Sequence, residues 1–413
     1  MGWVGTIGDT VLEQLGRMDF TLAEEYLAEV RSILDPLQRH IETARDRISL
    51  LTADAATAPD AAALHRINTR AVDAATDIFL CLHSAPMVQE VCTVVRDAIA
   101  ERALELARRD CYFSGSSSGL SLALVAVGSD GRREQSLFTD QDYLFVLGSD
   151  SGNDSQSNEE IDRYFGMLGS VFMTKLEEAG ISRCSGGIMP VNDDWRGTQQ
   201  QWRERLTTML RFERSDWEKN ILSLIALMDA RFVRGDPELG HGFGGMVRSL
   251  VRNTPDALRH MARVVGAMKL SKGFLNRFTV EAAGPHKGEF NLKTLAWMPL
   301  VMSVRLLAVD HGIEETSTLA RLEHLRSAGH LTDRMAAELT EAYHLLTGQR
   351  IRRQLQRIKN IIDDDNYINP YKLPTHERES LKKAIGAVDE LQAMIRSHYA
   401  MIRSADRVIT GVT

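Results

Sequence analysis

The stretch LALVAVGSDGRREQSLFTDQDYLFVL, residues 122–147, decides how this chain is read. Two short apolar runs, 122–127 and 143–147, bracket a polar turn, and both suit buried strands. The first run ends at Gly128-Ser129, and the second is entered through Asp140-Gln141-Asp142. Residues two apart on a strand share a face, so Asp140 and Asp142 project together and Gln141 points the other way. Like charges held roughly 6–7 Å apart repel. A divalent cation neutralises them best, and Mg²⁺ suits one or two carboxylates with water and phosphate oxygens completing its shell.

The turn supplies what a phosphate needs. Gly128 lets the backbone come close, and Ser129 offers a hydroxyl and an N–H. A helix starting at 130–131 would add unpaired N–H groups, which attract anions. Arg132 and Arg133 lie in the same turn, one to contact phosphate, with Glu134 placed to pair with an arginine. Two aspartates on a Mg²⁺ or Mn²⁺ ion, with a triphosphate in the turn (Gly128, Ser129, Gly131, Arg132), are the parts of nucleotidyl transfer by in-line displacement at phosphorus.

Outward from this stretch the chain reads mostly helical. Apolar residues recur at threes and fours over 9–50 and again over 60–110, with a small-residue break at 52–63. FSGSSSG (113–119) is a flexible break, and GSDSGNDSQSN (148–158) is a polar loop. A helix is expected over 159–179, and GGIMPV (186–191) is the next strand candidate. After 197 the pattern is helical again, including WEKNILSLIALMDARFV (217–233). Gly312 suits a helix end, and three more helices are expected, split near Gly329 and at 363–376. The expected fold is mostly α with a central α/β domain, a small mixed sheet flanked by helical domains. The expected boundaries are 1–112, 113–240 and 241–413.

The motif G-S-x-G-R-x-E-x4-T-D-x-D resembles the nucleotidyltransferase domain of the PII-uridylyltransferase, polymerase-β-like type. Within it, the chain is most similar to a nucleotidyltransferase family that carries a C-terminal helical substrate-binding domain. CSGGIMPVNDDWRG (184–197), DARFVRGD (229–236), HKGEFNLK (286–293) and RLLAVDHGIEETSTLARL (305–322) continue the resemblance, which spans about residues 60–400. It implies that Gly128 and Ser129 hold phosphate and that Asp140 and Asp142 hold the metal. It also implies a third carboxylate on a later strand. The comparable place here is Cys184-Ser185-Gly186-Gly187, with no acid, leaving Asp193 or Asp194 as substitutes from the strand's far end.

Other residues invite a role. His286, Lys287 and Lys293 form a basic loop suited to nucleotide phosphates or to the acceptor. Asp229 and Arg231 read as a structural pair or a helix cap. Arg305, within an apolar helical run, either pairs with a carboxylate such as Asp310 or Glu281 or looks into the cleft, since a buried charge is rarely left alone. Arg352, Arg353, Arg357 and Lys359 read as a solvated helix face.

The 413 residues carry a net charge of −7, which argues against general nucleic-acid binding. The four cysteines, Cys81, Cys92, Cys111 and Cys184, are scattered without a Cys-x-x-Cys pair. With no signal peptide and no apolar run of membrane length, a cytoplasmic protein is expected. The leading reading is transfer of NMP from ATP or UTP to a hydroxyl of a protein or small molecule. The alternative is a nucleotide-sensing module, catalytically weak or inactive, that binds a protein partner.

Overall fold

The computed structural model describes residues 10–11, 13–15, 17, 19–111, 121–148, 158–211, 217–268 and 278–409. The break at 113–119 and most of the loop 148–158 lie outside the described residues. The strands in chain order are β1 (Leu122–Ala126), β2 (Asp140–Gln141), β3 (Tyr143–Leu147), β4 (Ser182–Arg183), β5 (Arg196–Thr198), β6 (Arg231–Gly235), β7 (Phe290–Asn291) and β8 (Tyr367–Ile368), the last two an antiparallel pair of their own. Four form one mixed sheet in the order β5-β3-β1-β6. β1 runs antiparallel to β3 and β6, while β3 is parallel to β5. β2 and β4 pair separately, in parallel, with Asp140 opposite Ser182.

The unbroken apolar character of β1 and β3 follows from burial on both faces. Leu122, Leu124, Ala126, Tyr143, Phe145 and Leu147 pack with Leu104 and Ala107 of helix Ala85–Asp110 and with Phe165 and Phe172 of helix Asn158–Glu178. Ala123, Val125, Leu144 and Val146 face the opposite core, built on Trp202 and Phe243 and continuous with the C-terminal helices through Leu300, Leu346 and Leu391. Each such buried large side chain contributes roughly 1.5–3 kcal/mol. A polar residue on either face would therefore cost stability, whichever way it pointed.

Helices form most of the rest. Phe20–Ala56, Ala61–Leu82 and Ala85–Asp110 precede the sheet. The stretch expected to be helical over 60–110 is two helices. His83 adopts a left-handed conformation (φ 50°), Ser84 accepts a hydrogen bond from the Met87 N–H, and Pro86 sits in the first turn of the new helix. These are stop and start signals in succession. After Gly312 the helices are Thr318–Ser327, Asp333–Ile358 and Thr375–Ile409, three as expected. The architecture is mostly α around a small central α/β core.

Two strand assignments need correction. GGIMPV is a turn, because Gly187 is left-handed (φ 73°) and the chain closes through Gly187 N–H to the Cys184 carbonyl and Asn192 N–H to the Met189 carbonyl. The strand follows later, as β5. Conversely, 231–235 is β6 and does not extend the preceding helix, which ends at Leu227. Gly235 (φ 100°) lies so close to β1 that a Cβ would stand 1.9 Å from the Leu122 carbonyl oxygen. Among the described residues no helix is long and apolar enough to cross a membrane.

Candidate active site

The turn after β1 is stitched to the acidic strand. The Val127 N–H donates to the Asp142 carbonyl at 2.9 Å. Gly128 has φ 60°, and a Cβ there would sit 2.4 Å from Asp142 Oδ2. Glycine is required both by the left-handed backbone and by the closeness of that carboxylate. Gly128–Gly131 forms one helical turn, two residues earlier than expected. Gly131 faces inward, where a Cβ would meet the Asp229 carbonyl oxygen at 2.1 Å, and its N–H donates to Val127. Gly131 thus permits close packing. Gly128, Ser129 and Arg132 line the cavity beside it.

Gln141 is fully buried and donates to the Ile181 carbonyl, so the alternation leaves Asp140 and Asp142 on the opposite side. Ligand atoms of Asp140, Asp142 and Cys184 lie within 4.8 Å of one another. Asp142 Oδ1 is buried with no hydrogen-bond partner. Burial, and then the charge of Asp140, push the Asp142 carboxyl up to about 6. Cys184 is 8% exposed, and burial followed by the neighbouring Asp142 pushes its thiol up to about 12. Asp193 and Asp194 do not complete the site. Asp193 pairs with Arg196 at 2.6 Å, and both aspartates line a neighbouring groove.

The cavity has a volume of ≈ 520 Å³ and is lined by three further cations, Arg305, which is bound to Asp229, and two others. Lys293 begins the π-helical turn Lys293–Trp297, and Arg350 comes from the long helix Asp333–Ile358. Neither is hydrogen-bonded or ion-paired to another described residue. The Arg350 guanidinium lies 4.4 Å from the Trp297 ring centroid, with Arg132 also over that ring at 5.5 Å. Lys287 does not line the cavity. It belongs to a turn where its N–H donates to the Gly284 carbonyl, while His286 stacks on Tyr367 at 3.7 Å and contacts Glu289 at 2.8 Å. The sequence reading missed Arg350. Its signal was helical spacing, which sets it on one face with Tyr343, Leu346 and Gln354, all buried.

Beside the cavity lies a cluster of paired charge. Asp229, wholly buried, accepts from Arg132 at 2.7 Å, Arg305 at 2.9 Å and Arg321 at 2.8 Å. Burial alone would raise its carboxyl, but the arginines outweigh it and hold it at about 2. Arg305 thus has a carboxylate partner, Asp229 in place of Asp310 or Glu281. Arg231 pairs elsewhere, with Asp97 at 2.8 and 2.9 Å. Of the basic run, Arg352 pairs with Glu377, whereas Arg357 lies over the cavity-lining Phe138. Glu134 accepts from Arg132 and from the Thr318 N–H, each at 2.7 Å. Arg96 holds the Ser136 and Leu137 carbonyls, and Gln354 accepts from the Leu137 N–H. The loop between the Gly-Ser turn and the acids is therefore clamped by helices from both ends of the chain.

Comparison with known proteins places two parts of the chain. Residues 69–216 match the family model described as "Putative nucleotidyltransferase DUF294", and residues 255–399 match "Putative nucleotidyltransferase substrate binding domain". The chain is 27% identical over 283 residues to the bifunctional glutamine synthetase adenylyltransferase/adenylyl-removing enzyme of Cutibacterium acnes, covering 65% of this chain and 27% of that protein. The enzyme of the same name from Streptomyces coelicolor is 27% identical over 277 residues, covering 63% and 26%. That from Mycolicibacterium smegmatis is 24% identical over 313 residues, covering 70% and 30%. The chain thus spans between a quarter and a third of the length of these relatives.

Proposed function

Because the chain belongs to the family of nucleotidyltransferases with a substrate-binding domain, we propose that it moves NMP from a nucleoside triphosphate to a protein hydroxyl, using a divalent cation. The observation that carries this is the contrast inside one cavity. Asp140 and Asp142 stand together with a buried, unpartnered oxygen, and Lys293 and Arg350 line the same cavity without an ion pair to a described residue. The donor set fits a hard cation, since two carboxylates are what Mg²⁺ or Mn²⁺ takes from a protein. Such an ion, held by Asp140 and Asp142, supplies charge neutralisation to the reacting phosphates.

The chain's own residues do the rest. Gly128 leaves its backbone bare for a phosphate, with the Ser129 hydroxyl beside it. Lys293 and Arg350 balance the phosphate charge, and Arg350 is held by stacking on the Trp297 ring. ATP is the preferred nucleotide of the ATP and UTP pair, and a protein is the preferred acceptor, because the relatives are adenylyltransferases named for glutamine synthetase. We assign the α/β domain 113–240, framed by the helical region 1–112, to the nucleotide, and the region 241–413 to the acceptor, with Lys293 and Arg350 of that region also reaching the nucleotide. The setting is the cytoplasm, in keeping with the free thiols of Cys81, Cys92, Cys111 and Cys184.

The test is transfer of label from α-labelled ATP or UTP to protein in a lysate, with Mg²⁺ or Mn²⁺. The double variant Asp140→Asn/Asp142→Asn should lose on the order of 10³-fold in rate. Equal labelling by that variant sinks the assignment. One observation favours a second reading, a nucleotide-sensing module with little catalysis. The place of a third acid is held by Cys184, whose thiol stays neutral and offers no carboxylate to deprotonate the acceptor. Metal-dependent nucleotide binding without pyrophosphate release from any acceptor would select it.

A further inference from the structure

Cys184 does more than fill a vacant corner. Its Sγ lies within 4.8 Å of one carboxylate oxygen each from Asp140 and Asp142. Asp142 Oδ1 is buried with no partner. A tetrahedral centre with Zn–S of about 2.3 Å and Zn–O of about 2.0–2.2 Å accommodates these three atoms after side-chain shifts of about an ångström.

We infer that Asp140, Asp142 and Cys184 form a three-ligand site for a thiophilic divalent cation of the Zn²⁺ class, bound in preference to Mg²⁺. The inference rests on the reading of the two aspartates as cation ligands and needs no transfer reaction. Mg²⁺ takes oxygen ligands alone and gains nothing from the sulfur, whereas thiolate selects zinc-like metals. On binding, the sulfur–metal bond forms as the S–H proton leaves to solvent, one proton per cation. Three protein ligands leave a fourth position for water or a phosphate oxygen. Zn²⁺ at low concentration therefore competes with Mg²⁺ for the acidic pair and changes what the cavity can do.

Cd²⁺ is the probe, because a Cd–thiolate bond has an ultraviolet charge-transfer band. The full chain carrying Cys81→Ser, which removes the exposed thiol, is titrated without nucleotide. One equivalent should produce the band, Zn²⁺ should displace Cd²⁺ near parity, and Mg²⁺ in about hundredfold excess should not. Adding Cys184→Ser should abolish the band. Asp142→Asn, which keeps the thiol, should weaken Cd²⁺ at least about tenfold. A band that survives Cys184→Ser, a band unmoved by Asp142→Asn, or easy displacement by Mg²⁺ overturns the inference. Mg²⁺ binding seen by calorimetry with no Cd²⁺ band overturns it too, while leaving the aspartates as Mg²⁺ ligands. Absence of any cation binding fails both.

Discussion

Two acidic centres flank the same cavity wall, and they are opposites. Asp229 is enclosed by Arg132, Arg305 and Arg321, with both carboxylate oxygens bonded. Asp142 has another carboxylate and a thiol for neighbours, and one of its oxygens has no partner. The first carboxyl is held at about 2 by its arginines, and the second is pushed up to about 6 by burial and by Asp140. A buried charge satisfied from within the chain holds parts together. A charge that the chain itself leaves unsatisfied implies something from outside. The cations divide in the same way, since Arg132, Arg305 and Arg321 are committed while Lys293 and Arg350 are not. Asp229 ties the Gly-Ser turn to the C-terminal helices, and the Asp140–Asp142 pair is left without a counter-charge from its own chain.

The strongest way to break this contrast is to substitute each acid by its amide. Asp229→Asn leaves three buried arginines without a full counter-charge, and should cost about 3–5 kcal/mol of unfolding free energy. Urea denaturation followed by circular dichroism reads this directly. Asp142→Asn should do the reverse in cation-free buffer at neutral pH, raising stability by about 1–2 kcal/mol because a repelling charge is removed. If both variants lose stability alike, the second centre is as structural as the first.

The Gly-Ser turn and the acid pair were legible because their signals are local. Period-two alternation needs three residues, and the flanking apolar runs announce strands. The three C-terminal helices were legible for a similar reason, as Gly329 and the polar stretch around Asn369 interrupt a clear helical period. What escaped notice depends on distant partners. β6 follows an amphipathic helix with no breaker at its start, and only pairing with β1 makes 231–235 extended. GGIMPV is apolar enough for a strand, but Gly187 and Pro190 serve a turn. The break at His83 uses a left-handed residue other than glycine, which sequence seldom signals. The arginine partners of Asp229 lie 76 to 97 residues away in the chain, so no spacing rule could join them. Arg350 stood one residue ahead of a charged run that masked it.

Lys293 and Arg350 sharpen the same contrast on the cationic side. Arg350→Gln removes an uncommitted charge from the cavity wall and leaves every ion pair of the Asp229 cluster intact. A lost charged contact to phosphate costs about 1.5–3 kcal/mol, so nucleotide affinity should fall roughly 10- to 100-fold. Lys293→Gln should act in the same direction, and the melting temperature without nucleotide should barely move for either. Nucleotide titration by fluorescence of the tryptophans checks both. A variant that binds normally but melts early would put its residue with the structural group.

The smallest effect, and the one that separates the centres most cleanly, is their opposite response to pH. Asp142 has a folded-state value near 6 against about 3.9 unfolded. The folded protein holds that proton more tightly, so the stability it contributes is complete below about pH 4 and is lost as pH rises through 6. Asp229, depressed to about 2, contributes stability above about pH 4 that is lost as pH falls toward 2. Between pH 4 and 6 the Asp142 centre therefore titrates alone. In cation-free buffer the stability gap between wild type and Asp142→Asn should open by about 2 kcal/mol over that interval. Mg²⁺ should close much of the gap above pH 6, where the carboxylate is ionised. Below pH 6 the affinity for Mg²⁺ should weaken about tenfold per unit, since proton and cation compete for one oxygen pair. A gap that stays constant from pH 4 to 7 would mean that Asp142 is already ionised and balanced, and the distinction between the two acids would then be lost.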